Sequence, residues 1–358
     1  MKKLIFEFNE TDIIEFNNCL CCGSKNLKLI SRAISPSKGG RKTPFLETSF
    51  CNECGHIQRN KILSEEWMLK MFDYRDSFQV SNSFNPINPK VERYRYDRYK
   101  LIGEKIIEIE NLFLSSDKNI VDIGCGPGTG LEAWRDLGLR PVGIEPDISR
   151  AKIGLKKGLH IQNVAWEDID INDFKDPIFT SIQSLEHFYK PKDFLLYIAN
   201  LMTLKSSLYV EVPDTKEFVK DWNDSIYLGH VNNFSDNSLR LLLEQVGLNN
   251  IQRVYPYDSM IENEQNLCFI AKKDPLNEFL NQKCRKKEVD DYINSKIEDY
   301  IKGLPSNDPS KYENNFHLNY LNDLMFSYKR ESSVKETIKD HNKLRDIKYL
   351  DKDNYYIH

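Results

Sequence analysis

The chain has 358 residues, 50 Lys and Arg against 54 Asp and Glu, a net charge of −4 and a mean hydropathy of −0.57. That length argues for two or three folded units, and 40% apolar residues can fill a core beneath a very polar surface. The charge balance excludes a whole-chain polyanion binder, and no apolar run approaches the roughly 20 residues that a membrane helix needs. Met1-Lys2-Lys3-Leu4-Ile5-Phe6 opens like a leader peptide, but Glu7, Glu10 and Asp12 interrupt the apolar run. Secretion is therefore not expected, and a cytoplasmic location is.

Residues 1–62 form the first expected unit. They hold Cys19-Leu20-Cys21-Cys22-Gly23 and Cys51-Asn52-Glu53-Cys54-Gly55, two copies of C-x-x-C-G with 28 residues between Cys22 and Cys51. Two thiolates three residues apart around a tight turn make half of a tetrahedral Zn²⁺ site. The spacing predicts a ribbon-like Cys₄ site of Cys19, Cys22, Cys51 and Cys54. Cys21 is expected to point away, and His56 to be a bystander. Four protein ligands leave no open coordination position, so the metal is expected to staple a domain too small to bury much core.

Residues 63–105 read as a helical linker. Asn85-Pro86 and Asn88-Pro89 interrupt it, and the run Tyr94-Arg95-Tyr96-Asp97-Arg98-Tyr99 follows. Residues 106–272 alternate between apolar strands and helical stretches. The expected strands are 119–123, 141–145, 159–162, 178–183, 207–212, 252–257 and 267–271. Alternation of this kind implies crossover units in a mostly parallel α/β sheet. Residues 258–266 leave no room for a crossover helix, so the last two strands are expected to form an antiparallel edge hairpin. Residues 273–358 turn to Lys, Asp, Asn and Glu. Within them Val289, Tyr292, Ile293, Ile297, Tyr300, Ile301 and Leu304 recur at helical spacing. This stretch reads as a helical extension whose apolar stripe would serve for packing, for dimerisation or for a partner enzyme.

The most informative stretch is Val121-Asp122-Ile123-Gly124-Cys125-Gly126-Pro127-Gly128-Thr129-Gly130. It reads as strand, glycine turn and helix, with bare amides and a helix N-terminus facing a ligand. Thr129 breaks the G-x-G-x-x-G dinucleotide pattern. The acid Asp122, before the first glycine, suits a cationic amino group better than a pyrophosphate. Glu145 ends the next strand 21 residues after Gly124, where a carboxylate can accept hydrogen bonds from a ribose diol. The competing reading is a purely structural turn with a solvated Glu145.

These residues resemble the first two motifs of class I S-adenosylmethionine-dependent methyltransferases. The resemblance implies a Rossmann-like fold with a seven-stranded sheet over about 119–272. It places Gly124, Cys125, Gly126 and Gly128 beneath the methionine part of the cofactor, Asp122 near its amino group, and Glu145 with Pro146 near its ribose. Ala165 and Trp166 fall where the family flanks the adenine, although Trp166 reads equally well as a core residue. Gln183-Ser184-Leu185-Glu186-His187-Phe188 is similar to the family's Leu-Glu-His signature near the transfer site, with Gln183 on the cofactor side.

A Cys₄ module ahead of such a domain resembles the bacterial deoxysugar C-methyltransferases, which act on nucleotide-linked keto sugars. Ile226-Tyr227-Leu228-Gly229-His230-Val231-Asn232-Asn233-Phe234-Ser235 is similar to that family's Ile-Tyr-His-Glu-His segment, with Gly229 in place of the acid. Tyr74 resembles a substrate-side tyrosine. Methyl transfer needs an aligned nucleophile and a base to take its proton, and imidazole suits that task. His230 is the expected base with Tyr227 orienting the acceptor, and His187 beside Glu186 is the other candidate. The expected activity is S-adenosylmethionine-dependent methylation of a nucleotide-linked or glycan-bound sugar, at carbon or oxygen. The alternatives are an RNA methyltransferase that uses the zinc module to hold nucleic acid, which the acidic net charge disfavours, and a non-catalytic cofactor-binding protein.

Overall fold

A computed structural model describes residues 12–34, 45–66, 89–112, 119–172, 174–215, 230–258 and 265–273. Tyr74, Tyr227, the linker 67–88 and the expected helical extension from 274 onward lie outside them.

The described chain builds two sheets. The smaller contains β1 (Ile13–Glu15), β2 (Leu27–Ile34), β3 (Phe45–Cys51) and β4 (Ile57–Leu63) in the antiparallel order β1-β4-β3-β2. The larger follows helix α1 (Pro89–Ile109) and contains seven strands. Five are parallel: β5 (Asn119–Ile123), β6 (Arg140–Ile144), β7 (Ile161–Gln162), β8 (Ile178–Ile182) and β9 (Ser207–Pro213). Helices α2 (Thr129–Asp136), α3 (Ile148–Lys156) and α4 (Pro191–Leu201) lie between consecutive members, as parallel crossovers require. A two-residue strand β10 (Asn232–Asn233), helix α5 (Asp236–Gln245), β11 (Asn250–Arg253) and β12 (Asn266–Lys272) complete the described chain. The large sheet runs β11-β12-β9-β8-β5-β6-β7, with β11 and β12 antiparallel. This is a Rossmann-like α/β architecture with the antiparallel edge that the apolar runs predict.

The larger differences from the expected boundaries lie at α1, β11 and β7. Pro89 begins α1 instead of interrupting a helix, because a proline at a first helical position lacks only an N–H that would have no helical partner. The helix then runs through the 105/106 position, and Tyr99 packs edge-on against Trp134 of α2 at 5.7 Å. The strand expected at 252–257 lies at 250–253, paired with 269–272. Pro256, which offers no amide to a ladder, lies beyond its end. The strand expected from Leu159 begins at Ile161.

The core lies on both faces of the large sheet. Val121, Phe179, Leu208, Val210 and Phe269 are wholly buried, and each such side chain contributes about 1.5–3 kcal/mol. The same apolar cluster continues into the cysteine turns and α5, through Cys19, Cys21, Cys51, Cys54, Leu239, Leu242 and Leu243. Among the described residues, no helix is long and apolar enough to cross a membrane.

Candidate active site

The chain winds from β5 outward to β6 and β7, then crosses back to β8 and β9 on the other side. Ligands bind at such a reversal, outside the carboxyl ends of the strands. The glycine turn occupies this point. Gly124, Gly126 and Gly128 have φ of +80°, +56° and +82°, a region that side chains rarely adopt. A Cβ on Gly124 would lie 2.3 Å from Ser184 Oγ, whereas one on Gly126 would meet nothing within 4 Å. The turn is thus packed behind and open above.

Two carboxylates flank it. Asp122 is 1% exposed. Its Oδ1 accepts from Thr180 Oγ1 at 2.8 Å, and its buried Oδ2 has no hydrogen-bond partner among the described residues. Burial pushes its carboxyl up to about 7, opposed by Thr180 and assisted by Glu145. The Glu145 oxygens accept from the amides of Gly126 at 2.8 Å and Asp147 at 2.9 Å, and burial raises this carboxyl too. Asp147 in turn caps α3 through Ser149 N and Arg150 N. The amides of Gly124, Cys125 and Gly128 are taken up by the carbonyls of Ile144 and Cys125, so the turn offers open space above Gly126, and the buried Asp122 oxygen beside it fits a ligand with a cationic amine, as S-adenosylmethionine is.

The other expected cofactor residues divide. Pro146 and Ala165 are exposed. Gln183 closes β8 with φ +52°, a strained non-glycine conformation, and its amide donates to Asn266 Oδ1 at 2.9 Å. Trp166 is half-buried edge-on between Phe194 and Tyr197, at 5.6 and 5.5 Å, so packing accounts for much of its surface. The Cys125 thiol packs inward beside Gly143 with the core, and its backbone lies in the turn.

At the end of β8, the 3₁₀ turn Leu185–His187 places a buried Glu186 beside two imidazoles. Glu186 Oε1 lies 3.9 Å from His187 Nε2 and 4.0 Å from His230 Nε2, and the two imidazole rings are 5.0 Å apart. The two histidines, 43 positions apart in sequence, therefore share one carboxylate. The ligand atoms of all three lie within 4.8 Å of one another, a spacing that a divalent cation can bridge.

Cys19, Cys22, Cys51 and Cys54 converge as their spacing predicts, with all four Sγ atoms within 4.8 Å. The pairs 19–54 and 22–51 are each 3.5 Å apart, close to the roughly 3.8 Å edge of a tetrahedron with Zn–S bonds of 2.3 Å. Gly23 and Gly55, at φ +75° and +70°, return their amides to the carbonyls of Cys19 and Cys51. The Cys51 thiol is held well below its ordinary range, first by the Cys19 thiol and then by those of Cys22 and Cys54. Four free thiols in this arrangement fit a structural zinc ion. Cys21 points away, donating to the Ser238 carbonyl at 3.2 Å, and His56 stands outside the cluster, with Nε2 3.1 Å from Asn232 Oδ1.

Several participants carry no motif in the sequence. Thr180 reads as an interior strand residue. Asn232 could be suspected only from a polar pair set between the apolar Val231 and Phe234.

Comparison with known proteins agrees with this geometry. Residues 94–253 match the family model described as a methyltransferase domain. Among curated proteins, the mitochondrial ubiquinone biosynthesis O-methyltransferase of Dictyostelium discoideum is 26% identical, over 35% of this chain and 44% of that protein. The chain thus spans less than half the length of that relative. Similar solved structures include a SAM-dependent methyltransferase from Archaeoglobus fulgidus, at 17% identity and TM-score 0.39 over 57% of this chain and 99% of that one. The plantazolicin methyltransferase in complex with SAH is 14% identical with a TM-score of 0.40, over 58% and 99% of the two chains. The family match and the glycine-turn geometry define the class: this chain carries a class I S-adenosylmethionine-dependent methyltransferase domain.

Proposed function

We propose that the whole chain is a cytoplasmic methyltransferase that methylates a hydroxyl of a sugar, nucleotide-linked or part of a surface glycan, with His230 as the general base. The observation that carries this reading is the cluster of Glu186, His187 and His230 on the carboxyl edge of the sheet. When bound, S-adenosylmethionine supplies a methyl group on a sulfonium, an electrophile that needs no further activation. Asp122 would hold its amino group and Glu145 its ribose, and the side-chain-free turn at Gly126 would make room for its methionine part. His230 would take the proton of the acceptor hydroxyl as its oxygen displaced the methyl group from sulfur, with S-adenosylhomocysteine as the leaving group. The Glu186 carboxylate, 4.0 Å away, stabilises the resulting imidazolium.

A Cys₄ module joined to this domain, together with Tyr227, His230, Phe234 and Ser235, supports a sugar acceptor. Gly229 stands where the carbon-methylating relatives carry an acid, and the curated relative is by name an O-methyltransferase; both favour oxygen. The near-neutral charge balance favours a small acceptor over RNA. The test incubates the zinc-loaded chain with methyl-labelled S-adenosylmethionine and either a panel of nucleotide sugars or RNA. Label is expected on a sugar, and His230→Ala should lower turnover by about 10²–10⁴. Labelled RNA, or full turnover by His230→Ala, would contradict the reading.

A further inference from the structure

The cysteine module and the two histidine-bearing loops are built into one another. Strand β10 belongs by chain order to the connection between β9 and α5, yet it pairs with β4 of the small sheet, Asn232 opposite Gln58 and Asn233 opposite Ile57. The Arg59 amide adds a bond to the Val231 carbonyl at 2.8 Å. A two-residue strand does not hold its place by its ladder alone. Here the anchoring comes from neighbours on both sides. Val231, next to His230, and Tyr189, two residues after His187, are buried in one apolar cluster with Ile62 and Leu63 of β4. The Tyr189 hydroxyl also donates to the Leu63 carbonyl at 2.5 Å.

Asn232 closes the bracket. Its Nδ2 donates to the Phe188 carbonyl at 2.6 Å, one residue past His187, and its Oδ1 faces His56 Nε2 at 3.1 Å. A carbonyl can only accept, which fixes the amide orientation and makes His56 Nε2 the donor. His56 is two residues beyond the Cys54 turn, and its ring packs against Phe234 at 4.9 Å. One side chain therefore ties the cysteine turn to the loop that carries Glu186 and His187 and to the strand that follows His230.

We infer that His56 and Asn232 are positioning residues, through which the metal-loaded cysteine module sets the separation of Glu186, His187 and His230. The module is then a working wall of the active site as well as a fold staple. Misplacing a catalytic group by 1 Å costs about 10²-fold in rate, so this bracket bears on turnover without touching the reactants. The inference rests on the reading of His230 as base.

The test compares wild type, Asn232→Leu and His56→Phe, which keeps the ring on Phe234 and removes only the donor. All are taken with zinc loaded, and wild type also after zinc removal by a chelator. Hydrogen exchange and ¹³C-histidine resonances are read without an acceptor, so they stand apart from whether a sugar is methylated. The expected result is zinc retained in both variants and S-adenosylhomocysteine affinity within about twofold, since the glycine turn is a separate site. Amide protection at 231–234 and 186–189 should fall roughly tenfold, with shifted His187 and His230 resonances, and zinc removal should reproduce this. With an acceptor in hand, kcat should fall while KM for the methyl donor holds. Unchanged protection and resonances in both variants would overturn the inference, as would a parallel loss of cofactor affinity and kcat, the mark of a merely structural contact.

Discussion

Asp122 concentrates the electrostatics of the site in one side chain. Its ordinary carboxyl value is 3.8, and burial first, then Glu145, push it up to about 7 in the folded chain. The ligand-free fold therefore keeps a proton that the unfolded chain releases. The stability tied to this group is present below pH 4 and is lost as the pH rises toward about 7. A bound cationic amine reverses the balance, because it requires the carboxylate. Affinity for S-adenosylhomocysteine should accordingly weaken as pH falls below about 7, and thermal shift at pH 6 and pH 8 measures this. Asp122→Asn should lower the affinity at pH 8 by about 10–100-fold and flatten its pH dependence. An unchanged slope in the variant would place the titrating group elsewhere. The importance of Asp122 was legible from its place before the glycines, but its hydrogen bond to Thr180 was not. That contact joins residues 58 positions apart and exists only because β5 and β8 are neighbours.

At the scale of elements, α1 is held to the large sheet by a buried ionic network. Arg98 donates to Glu211 of β9, and the hydroxyls of Tyr209 and Tyr257 donate to the same carboxylate at 2.9 and 2.6 Å. Arg98 Nε also donates to the Tyr257 hydroxyl at 2.8 Å. Glu211→Ala would leave a buried guanidinium uncompensated and should cost about 3–5 kcal/mol in urea denaturation. A cost of a few tenths would show that the network is not a structural tie. The Tyr/Arg-rich run was visible in the sequence, but its partner was not, because a glutamate inside an apolar strand carries no sign of what it faces. Periodicity located the seven large-sheet strands to within a few residues, since apolar runs and short connections are local signals. The small sheet gave less, since β2 and β3 have little apolar alternation. Metal analysis should find one zinc ion per chain, and Cys54→Ser should lose it and lower the melting temperature. Zinc at full stoichiometry in that variant would place the metal elsewhere.

For the whole molecule, the decisive feature is that the two sheets are not independent. The cysteine spacing and the glycine turn each announce a local arrangement, and the four thiols do converge and the glycines do form a tight turn after β5. Their union at β10 was hidden, because two asparagines followed by a phenylalanine read as an ordinary loop. Only the fold shows that Asn232 and Asn233 are buried strand residues and that Glu186, His187 and His230 meet. The account as a whole depends on the methyl donor occupying the glycine turn between Asp122 and Glu145. Isothermal titration calorimetry of the folded, zinc-loaded chain with S-adenosylhomocysteine tests this most directly. One molecule bound per chain, with the heat greatly reduced in Asp122→Asn, is the predicted result; no heat from the wild-type chain would contradict it.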